Sequence, residues 1–257
     1  MLKCPICNKE LIRNGKTVQC IHHHSFDVAK QGYINLSTSQ KKNQGDNAMM
    51  VKARSAFLEH GYYDFLRNRI SQIMKEYNCK NLIDAGCGQG HYTKAFSEAV
   101  DQCVGMDLSK DAIIYAAKKD KNSLYLVSSI FDMPIVSGWA DCVTSIFVPS
   151  ADQEIHRVLK ENGIWITVGP GPMHVYELKE VMYEHPYKNE IPDNDYSGFE
   201  KVHQEIITQK HLVEDCMALL DMTPYRYKSS KEAVERVSQL KTAEITFEFV
   251  ITVWRKL

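Results

Sequence analysis

Apolar and polar positions along the chain divide it into three unlike stretches. From residue 81 to 168, short apolar runs alternate with amphipathic segments of helical period. The pattern predicts strands at 81–85, 102–107, 124–128, 141–147 and 163–168, with helices at 92–100, 110–119 and 152–159 between them. Strand–helix alternation of this kind favours a parallel, doubly wound sheet. Upstream, the period predicts helices over 48–60, ending at Gly61, and over 64–77, with Asp46 or Asn47 as cap of the first. Downstream, it predicts a helix over 209–220, a strand over 224–228, a helix over 231–240 and a final strand of period two over 242–255. Residues 185–198, rich in Pro, Asn, Asp and Tyr, read as an excursion near the pocket.

The first 36 residues carry too little apolar material for a core, and a segment so short needs a metal or another staple to fold. Its cysteines supply one. Cys4, Cys7 and Cys20, followed by His24, have the spacing Cys-x2-Cys-x12-Cys-x3-His of a zinc ribbon. His24 gives the usual spacing for the fourth ligand and His23 is the alternative, whereas His22 is too close to Cys20. Four protein ligands leave no open position, so the zinc is expected to be structural. Cys87, Cys103 and Cys142 lie in or beside apolar runs and read as small buried residues, not as a disulfide framework. Residues 37–47, which include Lys41 and Lys42, read as a polar linker. The expected organisation is a zinc module over 1–36, a linker with helices over 37–78 and a cofactor-binding domain over 79–257.

Charge adds one asymmetry. The net charge is −1, which excludes a global field for nucleic acid, but residues 1–60 carry an excess of five positive charges and the remainder an excess of six negative ones. A positive N-terminal end suits contact with phosphates. No apolar run approaches the roughly 20 residues of a membrane span, and no secretory leader is visible, so a cytoplasmic protein is expected.

The cofactor signal is Asp84-Ala85-Gly86-Cys87-Gly88-Gln89-Gly90, directly after a predicted strand. Glycines there permit a tight turn and close approach of a nucleotide-like ligand to the backbone. A dinucleotide fingerprint needs glycine at 91, where this chain has His91, and no lysine follows as in a P-loop. Gly-x-Gly-x-Gly behind Asp84 is similar to the first motif of class I S-adenosylmethionine-dependent methyltransferases. Asp107, at the end of the second strand, is placed to accept hydrogen bonds from both ribose hydroxyls. After the fourth strand stands Phe147-Val148-Pro149-Ser150, with neither the Pro-Pro-aromatic motif of amino-group methyltransferases nor a Pro-Cys nucleophile. Direct in-line transfer to a ring nitrogen or an oxygen remains.

Over nearly its whole length the chain resembles the RlmA-type 23S rRNA (guanine-N1)-methyltransferases. The resemblance lies in CPIC, CIHHHSFDVAKQGYINL, GDNAMMVKARSAFLEHGYY, DAGCGQG and PGPMH, in that order. It implies a Rossmann-like methyltransferase sheet with an N-terminal zinc ribbon, zinc on Cys4, Cys7, Cys20 and His24, and S-adenosylmethionine held by Tyr63, Gly88, Gln89 and His174 with Asp107 on the ribose. With the motif residues Asp84 and Gly86, these form the candidate cofactor site. The resemblance also implies methylation of N1 of one guanine in a 23S rRNA hairpin, and a homodimer. Ser150 departs from relatives that have cysteine there, which bears on which of two neighbouring guanines is chosen. N1 carries a proton that must leave. His174, Asp152 and Glu154 are candidates to take it, with a cofactor contact favoured for His174 and helix N-terminal stabilisation for the two acids. Aromatic residues such as Phe147 and Tyr196 are candidates to stack on bases. Two other functions fit the motifs: a methyltransferase of a small metabolite or protein, and a zinc-dependent binding module with a vestigial cofactor pocket.

Overall fold

The computed structural model describes residues 1–38, 45–223 and 225–257, so Lys41 and Lys42 of the linker lie outside the described residues. Three short strands, β1 (Ile12–Asn14), β2 (Thr17–Gln19) and β3 (Ser25–Asp27), form an antiparallel ribbon. β4 (Ile34–Asn35) leaves the ribbon and becomes the edge of a second, eight-stranded sheet. The remaining strands of that sheet are β5 (Asn81–Ala85), β6 (Gln102–Asp107), β7 (Leu124–Val127), β8 (Ala140–Ile146), β9 (Leu159–Pro170), β10 (Phe199–Val213) and β11 (Ala243–Lys256). Their order is β10-β11-β9-β8-β5-β6-β7-β4. From β9 to β4 neighbours run parallel, and β11 runs antiparallel to both β9 and β10.

Strand order reverses at β5, because the chain moves outward to β6 and β7 and then returns to place β8 on the other side. In an open α/β sheet, the crevice beyond the carboxyl ends of the strands at such a reversal is where ligands bind. The helices are α1 (Ala48–Leu58), α2 (Asp64–Glu76), α3 (His91–Phe96), α4 (Lys110–Lys119), α5 (Asp152–Val158), α6 (Tyr176–Met182), α7 (Cys216–Asp221), α8 (Tyr225–Lys228) and α9 (Lys231–Ser238). Asn47, not Asp46, caps α1, its side chain accepting from the Met49 and Met50 amides. Ser109 caps α4 in the same way, through the Ala112 amide.

The downstream part corrects two expectations. Residues 209–213 are not the start of a helix. They finish the fifteen-residue β10, pairing with 243–247 of β11. The helix starts only at Cys216, where Asp215 accepts from the Ala218 amide. β10 escapes a period-two reading because it is an edge strand with most of its side chains in solvent, Ile206 and Leu212 included. Residues 225–228 form a helical turn, not a strand.

Two apolar layers flank the sheet. One joins α2, α6 and α7 to β11 through Leu66, Ile70, Leu178, Leu219, Phe247 and Phe249. The other joins Ile83, Val104, Met106, Trp165 and Trp254 to Leu2, Cys4, Val18, Cys20 and Ile34 of the ribbon. A zinc module with a core of its own is therefore not what the chain builds. The Lys3 amide donates to the Pro134 carbonyl and the Val136 amide to the Met1 carbonyl, each at 2.9 Å, which stitches the N-terminus to the sheet's flank.

Candidate functional site

At the ribbon end, Asn8 and His23 take left-handed backbone angles (φ 60° and 64°) and fold the two short loops on themselves. Each loop is closed by its own amides, Asn8 to the Cys4 carbonyl and His23 to the Cys20 carbonyl. The thiols of Cys4, Cys7 and Cys20 and a ring nitrogen of His24 then lie within 4.8 Å of one another. Individual edges are 3.6 Å for Cys7 Sγ to Cys20 Sγ, 3.6 Å for Cys4 Sγ to His24 Nδ1 and 3.4 Å for Cys20 Sγ to His24 Nδ1. Zinc bonds of about 2.3 Å to sulfur and about 2.0–2.1 Å to nitrogen in a tetrahedron separate the ligand atoms by about 3.5–3.8 Å. The donor set therefore fits zinc, and the geometry selects His24 over His23.

The second site is the crevice at the strand reversal. Its floor is the glycine loop between β5 and α3. Gly86 has φ 75°, and a Cβ there would stand 2.3 Å from Val148 Cγ1, so the loop passes too close to the β8 end for any side chain. Gly88 differs: its φ is 53°, but a Cβ would meet nothing within 4 Å. It borders open cleft. Beneath the loop, Asp84 is buried, with one carboxylate oxygen accepting from Thr93 Oγ1 at 2.6 Å and the other from Thr144 Oγ1 at 2.8 Å. Burial pushes its carboxyl up to about 6, against the pull of those hydroxyls and with the help of the nearby Asp107 charge. Asp84 is thus a pin between β5, β8 and α3.

Asp107 reaches back from the end of β6. Its Oδ2 accepts from the Gly88 amide at 2.9 Å and its Oδ1 from the Ser109 amide at 2.7 Å. Burial raises its pKa, and the two amides counter that rise. Both oxygens keep a free lone pair. Tyr63, Asp84, Gly86, Gly88, Gln89 and Asp107 all line the cleft. His174 does not. It sits behind Tyr63 and Phe147, with ring centroids 6.2 and 6.1 Å away, and burial lowers its pKa to about 4. Its Nδ1 accepts from the Glu248 amide at 3.3 Å, which puts the proton of the neutral ring on Nε2. A ring in that tautomer donates and is not a base.

Of the two acids after β8, Glu154 is occupied. It accepts from the Met133 amide at 2.7 Å and pairs with Arg157 at 2.8 Å, and these contacts outweigh burial and hold its carboxyl below the usual range. Phe147 follows β8 at φ 57°, a costly angle for a bulky residue, and its ring is half exposed at the cleft mouth.

Three wall elements carry no motif of their own. Gly45 and Asp46 come from the linker, Arg54 and Leu58 from α1, and Met222 follows α7. Asp46 holds Arg54 Nε at 2.9 Å, and its carbonyl accepts from Ser109 Oγ at 2.5 Å, so the linker end is tied to the β6–α4 turn beside Asp107. The signal for the first two lay in GDNAMMVKARSAFLEHGYY, a stretch distinctive as a whole but silent about which side chains reach the cleft; Met222 had none.

Each site lies in a region that matches a known family. Residues 2–44 match the N-terminal zinc ribbon family of RlmA, and residues 83–167 match a methyltransferase domain family. The whole chain aligns at 29% identity with the 23S rRNA (guanine(748)-N(1))-methyltransferase of Streptomyces fradiae, covering 97% of it. It aligns equally, 29% over the whole chain and 97% of the relative, with YxjB of Bacillus subtilis (strain 168), which carries a provisional name as a 23S rRNA (guanine-N(1)-)-methyltransferase. The chain thus joins an RlmA-type zinc ribbon domain to a methyltransferase domain. As such it is an S-adenosylmethionine-dependent enzyme with a structural zinc ribbon. The strand order, with one antiparallel strand next to the last parallel one, is the class I methyltransferase sheet, extended here by β4 of the ribbon. Among the described residues no helix is long and apolar enough to cross a membrane.

Proposed function

We propose that this RlmA-type enzyme transfers the methyl group of S-adenosylmethionine to N1 of one guanine in 23S rRNA, with the N1 proton leaving to water and S-adenosylhomocysteine released. The observation that carries this is the match of ribbon and methyltransferase domain together, end to end, to relatives named for that reaction. The cofactor supplies an activated sulfonium methyl, so the work left to the chain is holding and aiming. Asp107, fixed by two amides, presents its free lone pairs to the ribose hydroxyls. Gly88 and Gln89 border the nucleoside, and Gly86 lets the loop pass beneath it. Asp84 acts one layer down, through Thr93 and Thr144. Tyr63 forms an apolar wall, stacked edge-on to Phe247 and Phe249 at 5.2 and 4.9 Å. Arg54, its Nε held by Asp46, keeps its terminal nitrogens for the cofactor's carboxylate. His174 supports Tyr63 and Phe147 from behind.

The zinc ribbon does no chemistry with four protein ligands. Its place is at the RNA, where the positive N-terminal end, with Lys41 and Lys42, meets phosphates. An rRNA substrate suits a cytoplasmic enzyme, and a homodimer would present two such ends. The test is a filter assay with labelled S-adenosylmethionine and unmodified 23S rRNA. Transfer to RNA and none to small acceptors is expected. Transfer to a metabolite or protein would overturn the assignment, and calorimetry showing no cofactor binding would identify a vestigial pocket instead.

A further inference from the structure

A second concavity lies on the far side of the segment that ends β8. Val148 belongs to both: it stands against Gly86 in the cofactor cleft and also lines this second pocket. The other walls include Trp254 of β11, Gln204 of β10, and Asn194 and Tyr196 of the 185–198 excursion. Pro170 of PGPMH and Val148 and Ser150 of the segment after β8 also reach this pocket.

Its polar groups share one arrangement. Gln204 Nε2 donates to Thr252 Oγ1 at 3.0 Å, and Asn194 Nδ2 donates to the Tyr196 hydroxyl at 3.0 Å. In both amides the donor end is engaged, while the carbonyl oxygen has no partner among the described residues. The pocket therefore offers two neutral acceptors. Beside them is an aromatic surface: Tyr196 packs on Trp165 and Trp254, with centroids 4.7 and 4.9 Å apart. The Tyr196 hydroxyl also bonds Ser150 Oγ at 2.6 Å, which ties the excursion to the very segment that separates the two pockets.

We infer that this second pocket receives the target guanine, with Gln204 and Asn194 as its specificity-determining residues; the inference rests on the function proposed above. A base that reacts at a ring nitrogen must leave its stack and enter a pocket. An aromatic face such as that of Tyr196 replaces the lost stacking. Guanine carries its exocyclic amine on C2, whereas adenine carries one on C6 and cytosine on C4, so the position of the donor identifies the base. Two carbonyl oxygens fit its two hydrogens and leave N1 free of protein contact. Inosine, which lacks the amine, forfeits both hydrogen bonds, each with a net worth of about 0.5–1.5 kcal/mol.

The test uses the full-length enzyme and a 23S rRNA hairpin transcript, first with guanine and then with inosine at the position found methylated. Inosine keeps N1 and O6 but lacks the amine. Wild type is expected to favour guanine over inosine by about tenfold or more in kcat/KM. Gln204→Ala and Asn194→Ala should lose activity on guanine, approach equal rates on the two RNAs and bind S-adenosylmethionine as wild type does. Gln204→Glu, which keeps an acceptor oxygen, should retain the preference. Both residues are exposed, so neither variant threatens the fold. Undiminished discrimination in both alanine variants would overturn the pocket assignment and leave the reaction standing. No methylation of any guanine by wild type would overturn both.

Discussion

The ribbon and the cofactor cleft hold their ligands by opposite strategies. The ribbon gathers four donors from one short segment, two tight loops and almost no core. The cleft collects side chains from the linker, α1, the glycine loop, the ends of β6 and β8, and the residue after α7. A chelate is a local object, so spacing alone describes it. A nucleoside pocket is assembled only when distant segments fold together, and spacing describes its floor alone. The two regions nevertheless share one apolar layer, since Leu2, Cys4 and Ile34 pack with Ile83, Val104 and Met106.

That shared layer sets the largest expected effect. Cys4→Ser, or zinc removal by a chelator, should cost on the order of 5 kcal/mol or more, about 10–20 °C in Tm for a chain this long. Because β4 pairs with β7, ribbon and sheet should melt in one transition whose midpoint falls with zinc loss. Two resolved transitions in calorimetry, with the methyltransferase domain unmoved, would show that the ribbon folds by itself.

The glycine loop sharpens the comparison within the cleft. Gly86→Ala forces a Cβ onto Val148 at a left-handed angle and should destabilise by about 2–4 kcal/mol. Gly88→Ala adds only about 1–2 kcal/mol of backbone strain. Its methyl group projects into open cleft, so cofactor affinity should fall more than stability. Denaturant melts and calorimetry on the pair separate the two effects. If both variants lost stability alone, Gly88 would not border the cofactor. Asp107→Ala should weaken S-adenosylmethionine binding by about 1.5–3 kcal/mol, since charge-assisted hydrogen bonds to the ribose are lost. Unchanged affinity would place the ribose elsewhere.

The last effect is a pH dependence. Burial lowers the pKa of His174 to about 4, so the folded state resists a proton that the unfolded chain accepts near 6.5. Its stability contribution is complete above about 6.5 and is lost as pH falls toward 4, by about 2 kcal/mol at pH 5. Asp84 runs the other way. Its carboxyl is raised to about 6, so its ionisation removes stability as pH rises from about 4 to 6. His174→Gln should flatten the acid side of the stability profile. An unaltered profile would mean that the imidazole is not held neutral.

Much of this was legible in the sequence, for reasons that differ by residue. The parallel strands announce themselves because both faces are buried, as in β5 and β8. Cys4, Cys7, Cys20 and His24 are readable because chelation fixes their spacing. β10 is not, because an exposed edge strand has no buried face to set a period. Arg54, Asp46 and Met222 were hidden for another reason. Nothing in a helix or linker sequence says which crevice its residues will face until β6 and α7 are in place. Asp84 was legible as a motif residue, but that both of its oxygens are taken by threonines was not, since Thr93 and Thr144 come from separate elements.

Nucleoside mass mapping of 23S rRNA addresses the central claim most directly. Ribosomal RNA from cells lacking this protein is compared with RNA from the parent strain, and the unmodified RNA is then treated with purified enzyme and S-adenosylmethionine. The expected result is the loss of one N1-methylguanine in those cells and its return at the same position after treatment. A 23S rRNA with every N1-methylguanine intact in those cells, and no new one after treatment, would contradict the assignment.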